Sequence, residues 1–177
     1  MQFFALLRID AQFCAEDSEQ GVFYCMTKIL FVCLGNICRS PMAEFVMKDM
    51  VKKAGLEHRF EIASAATSAE ELGNSVYPPV RKLLNERGIS CAGKTARQIT
   101  AADFAQYDLL IGMDRSNLRN MQRICPAEHQ GKIKLLLDYA GRVGGEVADP
   151  WYTRDFEATW RDVNDGCRGL LAALTEE

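Results

Sequence analysis

The sequence predicts an α/β fold: a small doubly wound sheet of four parallel strands with helices on both faces. Three observations carry that expectation. Short β-favouring runs alternate with stretches of helical spacing, the first run (K28-I-L-F-V32) is unbroken by polar residues after its lysine, and 177 residues suit a single domain. Strands alternating with helices join through right-handed crossovers into a parallel sheet, and a sheet covered on both faces reads as continuous apolar runs.

Residues 28–32 form the first predicted strand. Pro41 stands where a first helical residue would, and Met42, Phe45, Val46 and Met50 recur at helical spacing until Gly55. Residues 59–63 alternate as a second strand. Pro78 and Pro79 open a helix carrying Val80, Leu83 and Leu84, with Gly88 just past its end. Thr100 caps a short helical turn, residues 107–111 form the third strand, and S116-N-L-R-N-M121 runs into another helix. Residues 132–137 (K-I-K-L-L-L) read as the fourth strand. A long final helix places Phe156, Trp160, Val163, Cys167, Leu170, Leu171 and Leu174 on one apolar stripe.

Composition narrows the functions. Hydrophobic residues make up 48% and charged residues 25%, enough to bury a core. The formal net charge is −3 and no Lys/Arg-rich run occurs, which argues against a nucleic-acid partner. No apolar segment approaches the ~18 residues that span a bilayer, so no membrane partner is expected. The cysteines number seven, with irregular spacing, and read as free thiols of a reducing cytoplasm. There is no CxxC pair, and His58 and His129 stand far from Cys33 and Cys38. No metal or other cofactor is expected.

Residues 1–25 differ from the rest. F3-F-A-L-L7 is a short apolar burst without a basic segment before it, too short for a secretory core. Asp10, Glu16, Asp17 and Glu19 follow without periodicity. Met26 opens a sequence that reads as a complete domain. The expected division is a disordered or mis-called extension over 1–25 and one domain over 26–177.

The segment C33-L-G-N-I-C-R-S-P41 suits neither a strand nor a helix, and it falls at the carboxyl end of the first strand. Parallel sheets of this class hold their ligands there, near the reversal of strand order. A tight loop entering a helix aims backbone N–H groups and the helix's partial positive charge at a common point. Gly35 lets the backbone approach a ligand, and Asn36 tolerates a left-handed conformation. Together with Leu34, Ile37, Cys38 and Ser40 they make a cradle for a tetrahedral dianion. Arg39 clamps two of its oxygens, and Cys33 faces phosphorus from the floor.

Magnitudes show where the loop's contribution lies. Keeping a thiol ionised three pH units below its ordinary ~8.5 takes about 4 kcal/mol, of which a helix dipole supplies at most ~2. The gain is only about thirtyfold in thiolate, so the larger service is to the charge spread over three equatorial oxygens in the transition state. A tyrosyl oxygen, whose conjugate acid has a pKa of ~10, leaves poorly unless protonated, and a general acid contributes roughly 10² to 10⁴ in rate. Asp149, in A148-D-P-W-Y152, is the candidate. Trp151 and Tyr152 could wall a pocket for an aromatic ring, and the same aspartate could then activate water. The plainer reading makes Asp149 the start of an Asp-Pro turn and Trp151 and Tyr152 core aromatics. Cys91, Cys125 and Cys167 read as structural, and Tyr77 as a packing residue.

Five segments (C33-L-G-N-I-C-R-S-P41, S64-A-A-T-S68, A96-R-Q-I-T100, M113-D-R-S-N-L118 and D149-P-W-Y152) resemble the low-molecular-weight protein-tyrosine phosphatases, in the same order and from about Met26 to the end. The resemblance implies the flavodoxin-like, phosphotyrosine phosphatase I-like architecture. It implies hydrolysis of phosphotyrosine and aryl phosphates through a phosphocysteine on Cys33, with Arg39 as clamp and Asp149 as acid and then base. It further implies that Asn36, Ser40 and Ser64 support the loop, that no metal is needed, and that Cys33 and Cys38 form a reversible disulfide against over-oxidation. Its substrates would be phosphotyrosine proteins, with bacterial-type tyrosine kinases among them. Two positions depart from the family pattern. A69-E70-E71 replaces an aromatic pocket wall, giving an acidic rim at Glu70, and Lys94 stands where many relatives have histidine.

Three other functions fit parts of the pattern. Arsenate reductases share the C-x5-R loop but need a closely spaced downstream cysteine pair, and Cys91 has no near neighbour. Arginine phosphatases place threonine where Ile37 stands. A non-catalytic phosphotyrosine-binding module would not need a nucleophile, a clamp and an acid together.

Overall fold

The computed structural model describes residues 14–16 and 23–175. Strands β1 (Cys14–Glu16) and β2 (Phe23–Cys25) pair antiparallel in a sheet of their own. The extension expected over residues 1–25 otherwise lies outside the described residues. The four predicted strands are β3 (Thr27–Cys33), β4 (Phe60–Ala66), β5 (Leu109–Gly112) and β6 (Ile133–Leu135). They form one parallel sheet in the order β4-β3-β5-β6.

Among the described residues six helices accompany the sheet: α1 (Arg39–Lys53), α2 (Pro78–Glu86), α3 (Ala101–Gln106), α4 (Arg115–Ile124), α5 (Pro150–Thr153) and α6 (Phe156–Thr175). Residues 29–32 of β3 are buried completely because both of its faces are covered. Ile29 and Phe31 pack with residues of α1, α2 and α6, while Leu30 and Val32 pack with Phe104 of α3 and Met121 of α4. This is the period-two alternation of a strand between two helical layers. Among the described residues no helix is long and apolar enough to cross a membrane.

From β3 the chain crosses through α1 to β4 on one side, then returns to β5 on the other. The order therefore reverses at β3, and a crevice opens beyond the carboxyl ends of β3 and β5. The loop 34–38 sits at that point.

Element boundaries differ from expectation by up to three residues: the second strand runs on to Ala66, the third starts at Leu109, and two further shifts have a clear physical cause. Helix α1 begins at Arg39, so Pro41 is its third residue and not its first; Met42 N already donates to Cys38 O at 3.1 Å. Proline costs nothing anywhere in the first turn, because those N–H groups have no partner within the helix. The fourth strand stops at Leu135, and Leu136–Ala140 continues as a 3-10 turn. Both Leu136 and Leu137 remain buried, and an apolar run by itself does not separate a strand from a buried turn.

That turn is the seat of α6. A Cβ on Gly166 would come within 2.5 Å of Leu136 Cγ, and one on Gly169 would collide with the Tyr139 carbonyl oxygen. Two glycines inside a helix each cost about 1 kcal/mol of helix propensity, and here they allow the close approach. Gly169→Ala is therefore expected to lower stability in urea denaturation by about 1–3 kcal/mol, although alanine is the better helix former. A midpoint at or above that of the unaltered protein would show that the seat has slack.

Candidate active site

Cys33 ends β3 and Arg39 opens α1, so the five intervening residues must turn the chain within a few ångströms. They curl around the floor of a cleft of about 200 Å³ lined by Cys33, Leu34, Gly35, Ile37, Cys38 and Arg39. Asn36 faces the other way. Its φ is +56°, in the left-handed region, and it is wholly buried. Ser40, expected among the phosphate-binding residues, also lies beneath the cleft and not in its lining.

Every polar atom of the Asn36 side chain is used. Its Nδ2 donates to Ser40 Oγ and to Ser64 Oγ, both at 2.8 Å, and its Oδ1 accepts from Arg97 N at 3.2 Å. Ser64 Oγ donates onward to Glu44 Oε2 at 2.5 Å. Ser40 has one proton to give, with Cys33 Sγ at 3.0 Å and Ala65 O at 3.4 Å. The nearer acceptor is the sulfur, which also receives Asn36 N at 3.3 Å. Two short chains of donors thus run outward from the Asn36 amide, one through Ser64 to a buried carboxylate and one through Ser40 to the cysteine. Cooperative polarisation strengthens such chains in a low-dielectric interior.

Lys94 supports the far end. Its Nζ lies 3.2 Å from Glu44 Oε2 and donates to Ser64 O at 3.0 Å, while Lys48 reaches Glu44 Oε1 at 2.6 Å. Burial pulls the Lys94 ammonium below its ordinary pKa, against the opposing pull of Glu44. The position that departs from the family pattern therefore contributes to loop support from beneath β4.

Arg39 is buried and holds two carboxylates. Nη1 donates to Asp114 Oδ2 and Nη2 to Asp149 Oδ2, each at 2.6 Å, and Nη1 also points to Val147 O at 3.4 Å. Burial opposes its charge, but Cys33, Asp149 and Asp114 outweigh that and hold the guanidinium above its ordinary pKa. Asp114 caps α4, its Oδ1 accepting from Asn117 N at 2.7 Å. Asp149 caps α5 in the same manner, its Oδ1 accepting from Trp151 N at 3.0 Å. The Cys38 thiol is pushed up to about 12, chiefly by burial and then by the neighbouring Cys33 and Asp149.

Glu70, Glu71, Trp151 and Tyr152 complete the cleft's walls. Trp151 and Tyr152 are 47% and 78% exposed, so they are not core aromatics. Tyr77 backs Trp151 edge to face at 5.6 Å and stacks on Phe156 at 6.1 Å, and its N–H donates to Ile37 O. It packs as expected, and what it packs is the aromatic wall. Among the described residues no group of three or more His, Cys, Asp or Glu side chains could hold a metal ion.

Cys33, Arg39 and Asp149 therefore converge, with Asn36, Ser40 and Ser64 below them. Sequence reasoning assigned no role to Asp114 or Glu44. For Asp114 the capping signature D114-R-S-N117 at the end of β5 was the available signal. For Glu44 there was none.

A parallel α/β sheet with a C-x5-R turn at its switch point and an aspartate on the clamping arginine defines a class of cysteine-dependent phosphate-binding proteins. The comparisons narrow it: the chain belongs to the low molecular weight phosphotyrosine protein phosphatase family, whose model matches residues 28–177. It is 38% identical over 153 residues to the low molecular weight protein-tyrosine-phosphatase YfkJ of Bacillus subtilis, covering 86% of this chain and 98% of that one. The crystal structure of YfkJ superposes with a TM-score of 0.82 over 85% of this chain and 96% of that chain. A low molecular weight phosphotyrosine protein phosphatase of Schizosaccharomyces pombe is 46% identical over 132 residues, which are 72% of this chain and 84% of that protein. A Drosophila arginine phosphatase superposes with a TM-score of 0.78 at 30% identity, over 84% of this chain and 98% of that one.

Lys94 is the more buried of the two lysines on Glu44, and its removal leaves that buried carboxylate with the half-exposed Lys48 alone and Ser64 O without its donor. Lys94→Met should therefore lower unfolding stability by about 2–4 kcal/mol in urea titration, and adding Glu44→Gln should restore part of the loss. A loss below ~0.5 kcal/mol would remove Lys94 from the loop's support.

Proposed function

We propose that this protein is a protein-tyrosine phosphatase, hydrolysing phosphotyrosine and aryl phosphate monoesters through a phosphocysteine on Cys33. The observation that carries the reading is Arg39, which forms part of the loop floored by Cys33 and holds Asp149 at 2.6 Å. Nucleophile, clamp and acid are thereby brought to one cleft.

In this mechanism the phosphoryl dianion takes Arg39's nitrogens from the two carboxylates. Cys33 Sγ attacks phosphorus in line with the departing phenolic oxygen. The S–P bond forms as the P–O bond breaks, and Asp149 gives its proton to the leaving oxygen. Asp149, then ionised, takes a proton from water as the water oxygen attacks phosphorus. The S–P bond breaks and inorganic phosphate leaves.

Other features support the same reading over its rivals. Cys91, Cys125 and Cys167 are buried and absent from the cleft, where a relay to reduce arsenate would need them. Ile37 gives the cleft an apolar side chain at the position where arginine phosphatases carry a hydroxyl. The aromatic wall of Trp151 and Tyr152 suits a phenyl ring. Phosphotyrosine proteins are the proposed substrates, an autophosphorylated tyrosine kinase among them. Cys33, Cys38, Cys91, Cys125 and Cys167 are free thiols, which agrees with work in a reducing cytoplasm.

With p-nitrophenyl phosphate, Cys33→Ser is expected to abolish turnover; activity surviving in that variant would end the covalent mechanism. Asp149→Ala should slow phosphotyrosine hydrolysis by about 10² to 10⁴ and p-nitrophenyl phosphate hydrolysis less, because nitrophenolate leaves without help. Equal losses on both substrates would deny Asp149 the role of acid.

A further inference from the structure

The cleft's rim carries two carboxylates that the phosphoryl-transfer chemistry does not use. Glu70 and Glu71 follow β4 and line the mouth together with Leu34. Among the described residues, neither is paired with a lysine or arginine. Glu71 Oε2 accepts only a neutral amide, Asn74 Nδ2, at 2.6 Å. The Glu71 side chain lies directly on the phosphate loop, its Cγ 3.1 Å from where a Gly35 Cβ would stand. Among the described residues the one cation lining the cleft, Arg39, already has Asp114 and Asp149 as partners. Arg154 belongs to the aromatic wall, its guanidinium 5.6 Å from the Trp151 ring centre.

The charges around an incoming substrate follow from this arrangement. A phosphate dianion takes up Arg39 and leaves Glu70 and Glu71 unneutralised on the rim of the same cleft. An acidic residue beside the phosphotyrosine adds a third repulsion, whereas a lysine or arginine there finds two unpaired carboxylates. Leu34 and the pair Trp151 and Tyr152, all substantially exposed, offer apolar contact for the ring and its neighbours.

Building on the phosphatase reading, we propose that Glu70 and Glu71 are specificity-determining residues that select phosphotyrosine flanked by lysine or arginine. Like-charge juxtaposition rejects wrong partners more strongly than an opposite charge attracts right ones. The discrimination is therefore largest between basic and acidic substrates and smallest between basic and neutral ones.

The test compares kcat/KM for matched phosphotyrosine peptides bearing lysine, alanine or glutamate on both sides of the phosphotyrosine. The unaltered protein is expected to prefer the lysine peptide over the glutamate peptide by about tenfold at low salt. At 0.5 M NaCl the ratio should fall toward one, as screening shortens the reach of exposed charges. Glu70→Gln/Glu71→Gln keeps the side-chain shapes and an oxygen for Asn74 to donate to, and should reduce the ratio to within about twofold. Glu70→Lys should invert it. A ratio near one in the unaltered protein, or an unchanged ratio in the glutamine variant, would overturn the proposal. Failure to hydrolyse any of the three peptides would instead overturn the phosphatase reading on which it rests.

Discussion

Asn36 is sealed from water at a left-handed backbone position, and this one residue constrains the whole turn from Cys33 to Ser40. Glycine could adopt the same φ, but it would leave Ser40 Oγ, Ser64 Oγ and Arg97 N without their partner. Aspartate could accept from Arg97 N but could not donate to either serine. Asparagine alone offers two donors and an acceptor on a side chain short enough for a left-handed residue. Its two N–H groups fix which way both serine protons point, and so direct the Ser40 proton to Cys33. A loop without regular secondary structure, which would otherwise have many conformations, is held in one.

The electrostatics of the cleft follow from an uneven count. One buried guanidinium faces two carboxylates at 2.6 Å, with Glu70 and Glu71 beyond them. Such a mouth does not draw in anions by a long-range positive field. Recognition has to come from exchange at close range, where a dianion replaces carboxylates on Arg39 and meets the helix N-terminus. In the proposed mechanism a ligand that fails to displace Asp149 gains little, so the guanidinium proposed to bind phosphate also gates release of the proposed acid.

The local part of this design was legible in the sequence. The turn 33–40 is contiguous, its residue types conflict with both strand and helix, and the strand before it is a clear apolar run. Asp149 was legible because proline and two aromatics mark its neighbourhood. What escaped detection is held by partners distant along the chain. Glu44 sits within a helix whose spacing shows only that it is helical, and its link to Ser64 and Lys94 exists only once β4 lies beside α1. Lys94 was visible as a departure from pattern, but its role depends on that carboxylate. The start of α1 was displaced because proline marks a first turn without marking which residue of it, and the fourth strand was overlong because Leu136 and Leu137 are as apolar as strand residues.

How Asp149 moves between its two tasks is decided by what holds its backbone. Val147 N donates to Met113 O at the end of β5, Ala148 N donates to Asp162 on α6, and Thr159 of α6 donates to Ala148 O. Helix α6 is itself seated on the 3-10 turn through Gly166 and Gly169. The segment is thus tied to both the sheet and the final helix, and it has little freedom to open and close as a lid. One oxygen of Asp149 stays engaged in capping Trp151 N while the other is shared with Arg39. In the proposed mechanism the change of partner is therefore a small side-chain rotation about a fixed cap, not a loop closure. No loop closure then has to precede the chemistry of the phosphoryl group.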